Sequence, residues 1–344
     1  MSNIYGIPQL YIGGKEIFNI NSVSVSEKGG TQINTLSATI TDPDIDESKL
    51  YNQEIVLYLN HGHRDSIPFF RGFIRQINPG TKKLSLTAYD PRTFLTGKEA
   101  APISITDKNN FDGYTLVQFL YSHIYNKVNI NKTLIGLDML NETNPPILLK
   151  GKRADSTAPY GFITSNLPAD KGDLYNPATF SIRMIDDGTK NNITILKEPD
   201  YSTLSGPPSF SFFDGISKLN FKRRPTSQFF TYTTEGGKSG SFKKGNMPLG
   251  PFGKTISGKF EDTEKAAQQA IFESELDNRE LSQISINITK NYYIGLGTVI
   301  RLNVPEPELR KNHRVKSKTV SWNKSGYSAS LTLNRVSPVV EDYI

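Results

Sequence analysis

No cysteine occurs in the 344 residues. That excludes disulfides, thiolate nucleophiles and cysteine metal clusters together, and it suits synthesis in a reducing cytoplasm. Histidine is scarce, with four copies, and tryptophan occurs once. No apolar run approaches the roughly 18 residues that cross a bilayer, so membrane insertion by this chain is not expected. The opening Met1-Ser2-Asn3-Ile4-Tyr5 lacks the basic segment and apolar core of a secretory signal. Neither sign of charge dominates: 40 basic against 34 acidic residues leave +6, which permits an anionic partner without demanding one. Basic residues gather at 218–224, 238–259 and 310–318, and these read as solvated faces and loops.

What is present is β pattern, and part of it is written twice. Residues 54–95 open with Ile55-Val56-Leu57-Tyr58-Leu59, pass through a polar loop to a second strand over 70–77, turn at Asn78-Pro79-Gly80, and close with Leu84-Ser85-Leu86-Thr87-Ala88. Residues 297–336 repeat the plan: Val299-Ile300-Arg301-Leu302, a polar loop, a strand over 315–322, a turn at Asn323-Lys324-Ser325-Gly326, and Ser330-Leu331-Thr332-Leu333. Period-two alternation between turn residues marks antiparallel strands with one buried face. Two related small antiparallel β-barrels are expected, with a mixed α+β domain inserted between them. A duplicated β module is an architectural device, so the chain reads as an assembly component.

The expected domains are 1–96, 97–205 and 206–344. In the first, Gln9-Leu10-Tyr11-Ile12 is a strand, Gly13-Gly14 a turn, and 33–41 a strand with Leu36, Ala38 and Ile40 on one side. In the second, Leu116, Phe119, Leu120, His123 and Ile124 recur at helical spacing, predicting a helix over 114–125. A Pro- and Gly-rich stretch follows, and then a hairpin of 180–185 with 193–196 about a turn beginning Asp186-Asp187-Gly188. The third is expected to open with strands around Leu219, Phe221 and 229–233. A long glycine-rich loop over 235–260 comes next, too polar to pack a core. Asp262 or Thr263 then caps a helix over 263–281, and Ile284, Ile286 and Ile288 lead into the closing meander.

Chemistry is hard to place. His61 and His63 could share a metal ion, but His123 and His313 offer no companion at ligand spacing, and a catalytic zinc needs three protein ligands. Asp42, Asp44 and Asp46 begin like a calcium loop, yet its sixth and twelfth positions hold Glu47 and Gln53 instead of Gly and Glu. Gly237-Lys238-Ser239 and Gly253-Lys254-Thr255 end like phosphate loops, but the upstream glycine is replaced by Tyr232 and Pro248. No Gly-x-Ser-x-Gly elbow occurs. Glu273, Glu275, Asp277 and Glu280 beside Arg279 read as a solvated helix face. No catalytic, cofactor or metal site is assigned, and no enzyme activity is expected.

The closing segment, Gly297 to Leu302 with His313 to Trp322 and Gly326 to Val336, resembles the end of phage late-control D proteins and related T-even-type tail baseplate hubs. It is also similar to the hub part of VgrG-like spike proteins. Phe70-Arg71-Gly72-Phe73-Ile74 and Leu86-Thr87-Ala88-Tyr89-Asp90-Pro91-Arg92-Thr93-Phe94-Leu95 look like the first barrel of the same family. The resemblance implies a structural homotrimer in the virion tail of a phage or a contractile injection machine. Two barrels per subunit would give six modules that match a hexameric tail tube, while true threefold symmetry would face a trimeric spike. Tape-measure and baseplate wedge or sheath-initiator proteins are further implied partners. The rival readings are a cell-wall-degrading enzyme and a carbohydrate- or nucleic-acid-binding β protein. For the nucleic-acid form, the basic loop 238–259 with Phe242 and Phe252 would track the backbone.

Overall fold

Alternation decides the local structure, and the chain is mainly β. A computed structural model describes residues 6–28, 33–41, 46–60, 67–80, 82–95, 115, 118, 135–138, 180–186, 188–197, 207–223, 229–233, 237–243, 253–256, 282–310 and 312–335. The chain divides into two compact units. Met1–Pro168, Phe180–Glu198 and Ser317–Ala329 form the first; Ala169–Thr179, Pro199–Lys316 and Ser330–Ile344 form the second.

The first unit holds β1 (Gln9–Ile12), β2 (Lys15–Ile17), β3 (Ile20–Lys28), β4 (Thr35–Ile40), β5 (Glu54–Tyr58), β6 (Phe70–Pro79) and β7 (Leu84–Tyr89). Gly13 and Gly14 turn β1 into β2 with φ of 56° and 79°, the left-handed region where a side chain is penalised. The strands lie in the order β3-β4-β7-β6-β5-β1-β2, antiparallel throughout. Every second residue enters the core: Val23 and Val25, Leu36, Ala38 and Ile40, Ile55 and Leu57, Leu84, Leu86 and Ala88 are all buried. Each of the larger aliphatics contributes about 1.5–3 kcal/mol by leaving water. Gly72 in β6 marks a close approach: a Cβ there would lie 2.4 Å from the Tyr89 carbonyl oxygen and 2.8 Å from the Phe70 ring. A smaller sheet joins β8 (Ile135–Asp138), β9 (Phe180–Asp186) and β10 (Asn191–Lys197) in the order β8-β10-β9. Its β9–β10 hairpin is the one legible in the sequence, with Gly188 at φ 95° in the turn.

The second unit holds β11 (Ser209–Ser211), β12 (Ile216–Arg223), β13 (Phe229–Thr233), β14 (Ser239–Lys243), β15 (Gly253–Ile256), β16 (Ser282–Ile288) and β17 (Val299–Asn303). It also takes the start of β18 (Asn312–Asn323) and the end of β19 (Gly326–Arg335). Its main sheet runs β12-β16-β19-β18-β17-β11.

Set beside β3-β4-β7-β6-β5-β1, this is the same strand order, met in the same order along the chain. The match extends to detail. Ile20 pairs with Ile40 and the register then slips by one residue on β3; Ile216 pairs with Ile288 and the register slips at the same point on β12. One residue past each central strand, the Thr41 amide donates to the Asn19 carbonyl at 2.9 Å and the Thr289 amide to the Gly215 carbonyl at 3.1 Å. The Ile74 amide reaches the Gln53 carbonyl at 3.0 Å, and the Val315 amide reaches the Thr298 carbonyl at 3.0 Å. One difference stands out: β1 pairs antiparallel with β5, whereas β11 pairs parallel with β17.

The loop expected over 235–260 is corrected by the structure. Two strands, β14 and β15, lie within it, and with β13 they make a three-stranded sheet in the order β14-β13-β15. Residues 229–233 therefore belong to this small sheet and do not open the main one. Glycine is what misleads. Tyr232 pairs with Gly240, and a Cβ on Gly240 would fall 2.4 Å from the Tyr232 hydroxyl oxygen. The missing side chain makes room for the buried tyrosine, a cross-strand arrangement that stabilises glycine in sheets.

The helices expected over 114–125 and 263–281 lie outside the described residues, apart from Thr115 and Gln118. Those two exchange reciprocal bonds, with the Thr115 amide donating to Gln118 Oε1 at 3.0 Å and the Gln118 amide to Thr115 Oγ1 at 3.1 Å. This is the capping box that starts a helix.

Candidate interaction surfaces

The residues singled out for chemistry do not converge. His61, His63, Asp42, Asp44 and the acidic group 273–280 lie outside the described residues. Asp46 caps the short 3-10 turn Glu47–Lys49, accepting from the Ser48 amide at 3.1 Å and from Ser48 Oγ at 2.6 Å. These bonds and nearby Lys49 hold its pKa below the ordinary carboxylate value. Gly237-Lys238-Ser239 runs into β14, and Gly253-Lys254-Thr255 lies in β15. Each is a strand segment where a phosphate loop would need a helix start. His313 is buried, with Nε2 3.0 Å from the Leu309 carbonyl oxygen. Among the described residues, no three His, Cys, Asp or Glu gather as a metal site, and no helix is long and apolar enough to cross a membrane.

The most specific polar chemistry lies in the first unit, where Ser317–Asn323 of β18 pairs antiparallel with β3. Lys318 stands directly opposite Glu27, with Nζ 3.2 Å from its carboxylate and 4.6 Å from the centroid of the Phe69 ring. Ser24 and Ser321 share a hydroxyl hydrogen bond at 2.9 Å, and the Tyr327 hydroxyl donates to the Leu59 carbonyl. Beyond the end of β7, the buried Asp90 carboxylate accepts from the Asn34 amide at 2.7 Å and from the Arg92 amide at 2.9 Å. It also accepts from Arg92 Nη2 at 2.5 Å. This cluster of two acids and two bases was not visible in the sequence, since its members come from three distant segments.

Burial raises the pKa of Glu27 above the ordinary 4.5, against the opposing pull of Lys318 and Arg92. A carboxylate whose folded pKa exceeds its unfolded one binds its proton first in the folded state. Stability then rises as pH falls from the raised value toward about 4.5. Glu27→Gln removes this term. The melting temperature of wild type relative to Glu27→Gln is therefore expected to improve as pH is lowered from neutral toward the ordinary 4.5. A difference independent of pH would show that attraction to Lys318 and Arg92 cancels desolvation, and one running the other way that it outweighs it.

The strand of the second unit that corresponds to β3 is β12, and it ends the sheet, paired with β16 alone among the described residues. Its inward residues differ in burial from their counterparts. Val23 and Val25 are 2% and 1% exposed, whereas Leu219 and Phe221, at the same places in the register, are only half-buried. The counterpart of the β18 segment is the end of β6, where Gln76, Asn78 and Pro79 are exposed beyond the stretch paired with β5. One edge is filled within the chain, and no described strand pairs with the outer side of its equivalent.

No protein-family model matches the chain, and no curated protein sequence matches it. Solved structures do. A 43 kDa tail protein of prophage MuSo2 from Shewanella oneidensis aligns with a TM-score of 0.71 at 12% identity, covering 96% of this chain and 98% of that one. A tail protein from Neisseria meningitidis MC58 aligns at 0.67 and 14% identity, over 95% and 96%. The fold is that of phage tail proteins. A chain of the Francisella PdpA–VgrG complex also shares it, at a TM-score of 0.58 and 12% identity, with 98% of this chain covering 54% of that one. These identities make the likeness one of fold, which agrees with the resemblance read from the closing segment and from 70–95.

Proposed function

We propose that the chain is a structural component of a phage tail or related injection machine, acting as a baseplate hub. Three copies form a ring in which two small barrels per chain supply six similar modules. The ring matches a hexameric tail tube on one side and a trimeric spike on the other, and the protein acts without catalysis in the virion tail. The observation that carries this reading is the edge of β12, which no other described strand covers. Within one chain the edge of β3 is covered by β18, so by the same strand plan the edge of β12 accepts the end of β6 from the next copy. Such a contact is heterologous and must close into a ring or grow without limit. With two modules per chain, a sixfold-like ring closes after three copies.

Half-burial of Leu219 and Phe221 supports the same contact, because apolar strand residues left part-exposed at a sheet edge invite pairing. The test is light scattering on purified protein. The expected mass is three times the 38.4 kDa chain; a stable monomer at high concentration would contradict the reading.

A further inference from the structure

The repeat leaves each chain with two edges of one strand plan and two strand segments that fit them. The β3 edge is covered by Ser317–Asn323 of β18, while its counterpart β12 pairs with β16 alone among the described residues. Apolar residues do not tell the two edges apart. Leu219 stands at the place of Val23 and Phe221 at that of Val25. Trp322 and Val320, which face Val23 and Val25, would therefore find apolar partners on either strand. Hydrogen bonding does not discriminate either. Ser321 shares a hydroxyl bond with Ser24 at 2.9 Å, and on β12 it would meet Asn220, another polar residue able to bond it.

Charge is what differs. Four residues on from Val23 is Glu27, and four on from its counterpart Leu219 is Arg223. Lys318 stands directly opposite Glu27, with Nζ 3.2 Å from the carboxylate and the two side chains only 2% and 16% exposed. On β12 the same lysine would stand opposite Arg223, with Lys222 next in the strand. Like charges directly opposed across a sheet repel, and more strongly where water is excluded. The other mismatch is disfavoured too. Ile77 lies three residues past Ile74, as Lys318 lies three past its counterpart Val315. The end of β6 placed on β3 would set Ile77 against Glu27 and leave that carboxylate buried without its lysine.

We infer that Glu27 and Arg223 are labels of opposite sign on two otherwise interchangeable edges, matched by Lys318 of β18 and Ile77 of β6. Glu27 admits β18 of the same chain. Arg223 refuses β18 of every other copy and leaves β12 to the end of β6. Specificity of this kind comes as much from the contact forbidden as from the contact made. The inference rests on the β12 junction proposed above, and it adds the residues that sort the strands between the two edges.

The chain has no cysteine, so introduced pairs report each junction by disulfide formation. Opposed residues of an antiparallel pair have Cα atoms about 4.5–5.5 Å apart, within disulfide reach. Ser24→Cys with Ser321→Cys in one full-length chain reports β18 on β3. Ser321→Cys protein refolded and oxidised together with Asn220→Cys protein reports β18 of one copy on β12 of another, read by mass spectrometry as a linked 220–321 peptide. With Lys318 in place, the 24–321 bond is expected to form and the 220–321 peptide to stay at background. Lys318→Glu in the Ser321→Cys chain is expected to raise the 220–321 product at least about tenfold. Adding Arg223→Glu to the Asn220→Cys chain should return it to background. Lys318→Ile gives β18 the residue of β6 without a new charge and should raise the product as well, which keeps the test decisive if Lys318→Glu does not fold. A 220–321 product already abundant with Lys318 in place would overturn the inference, as would no rise in either variant or a rise that Arg223→Glu does not reverse. Asn78→Cys and Lys222→Cys in separate copies report the proposed junction itself. If that pair never links, the proposed function fails, a separate and distinguishable outcome.

Discussion

Asp90→Ala is expected to cost roughly 3–5 kcal/mol of stability, the largest single effect in the first unit. The carboxylate accepts the Asn34 and Arg92 amides as well as the Arg92 guanidinium, and both charged partners are buried. Removing it leaves the Arg92 charge inside the protein without its main countercharge and leaves two amides short of an acceptor. Arg92→Met in the same background should recover part of the loss, because replacing both members of a buried pair by apolar groups is far milder than breaking it. Urea denaturation of the single and double variants measures this directly. A single variant within about 1 kcal/mol of wild type would mean that water reaches the guanidinium.

Leu219→Asp is expected to have the largest effect on assembly. Leu219 is half-buried on β12, opposite Ile286, at the place where its counterpart Val23 is covered by Trp322 of β18. A carboxylate there must be desolvated at each contact of the ring, at about 2 kcal/mol or more per contact. Dissociation should then begin at concentrations at least about tenfold higher than for wild type. Asn220→Asp is the control, since Asn220 is exposed on β12 and its substitution should leave the mass unchanged. Concentration-dependent light scattering separates the outcomes: equal trimer stability in Leu219→Asp and wild type would show that this edge is not the contact.

Much of the fold was legible because alternation is a local signal. Leu36, Ala38 and Ile40 point into the core as expected, as do Ile284, Ile286 and Ile288. The repeat could be seen because both copies keep the same order of strand, polar loop, strand, tight turn and strand. What escaped was long-range or masked by composition. Glu27 sits in Ser26-Glu27-Lys28 and Lys318 in Lys316-Ser317-Lys318, segments that look like solvated strand surface. Only the pairing of two segments far apart in the chain puts those charges inside. Asp90 and Arg92 lie in the 86–95 stretch that carries the family resemblance, but nothing in their spacing marks them as buried. Glycine and lysine between 235 and 260 suggested an unstructured loop, because the space that Gly240 leaves for Tyr232 has no signature in a single sequence.

The most direct test of the central claim is electron microscopy of the purified particle viewed down its axis. If each chain contributes two modules of the same strand plan to a closed ring, class averages will show six similar lobes around a central opening, alternating in two kinds. Three lobes only, or an open filament, would contradict the account.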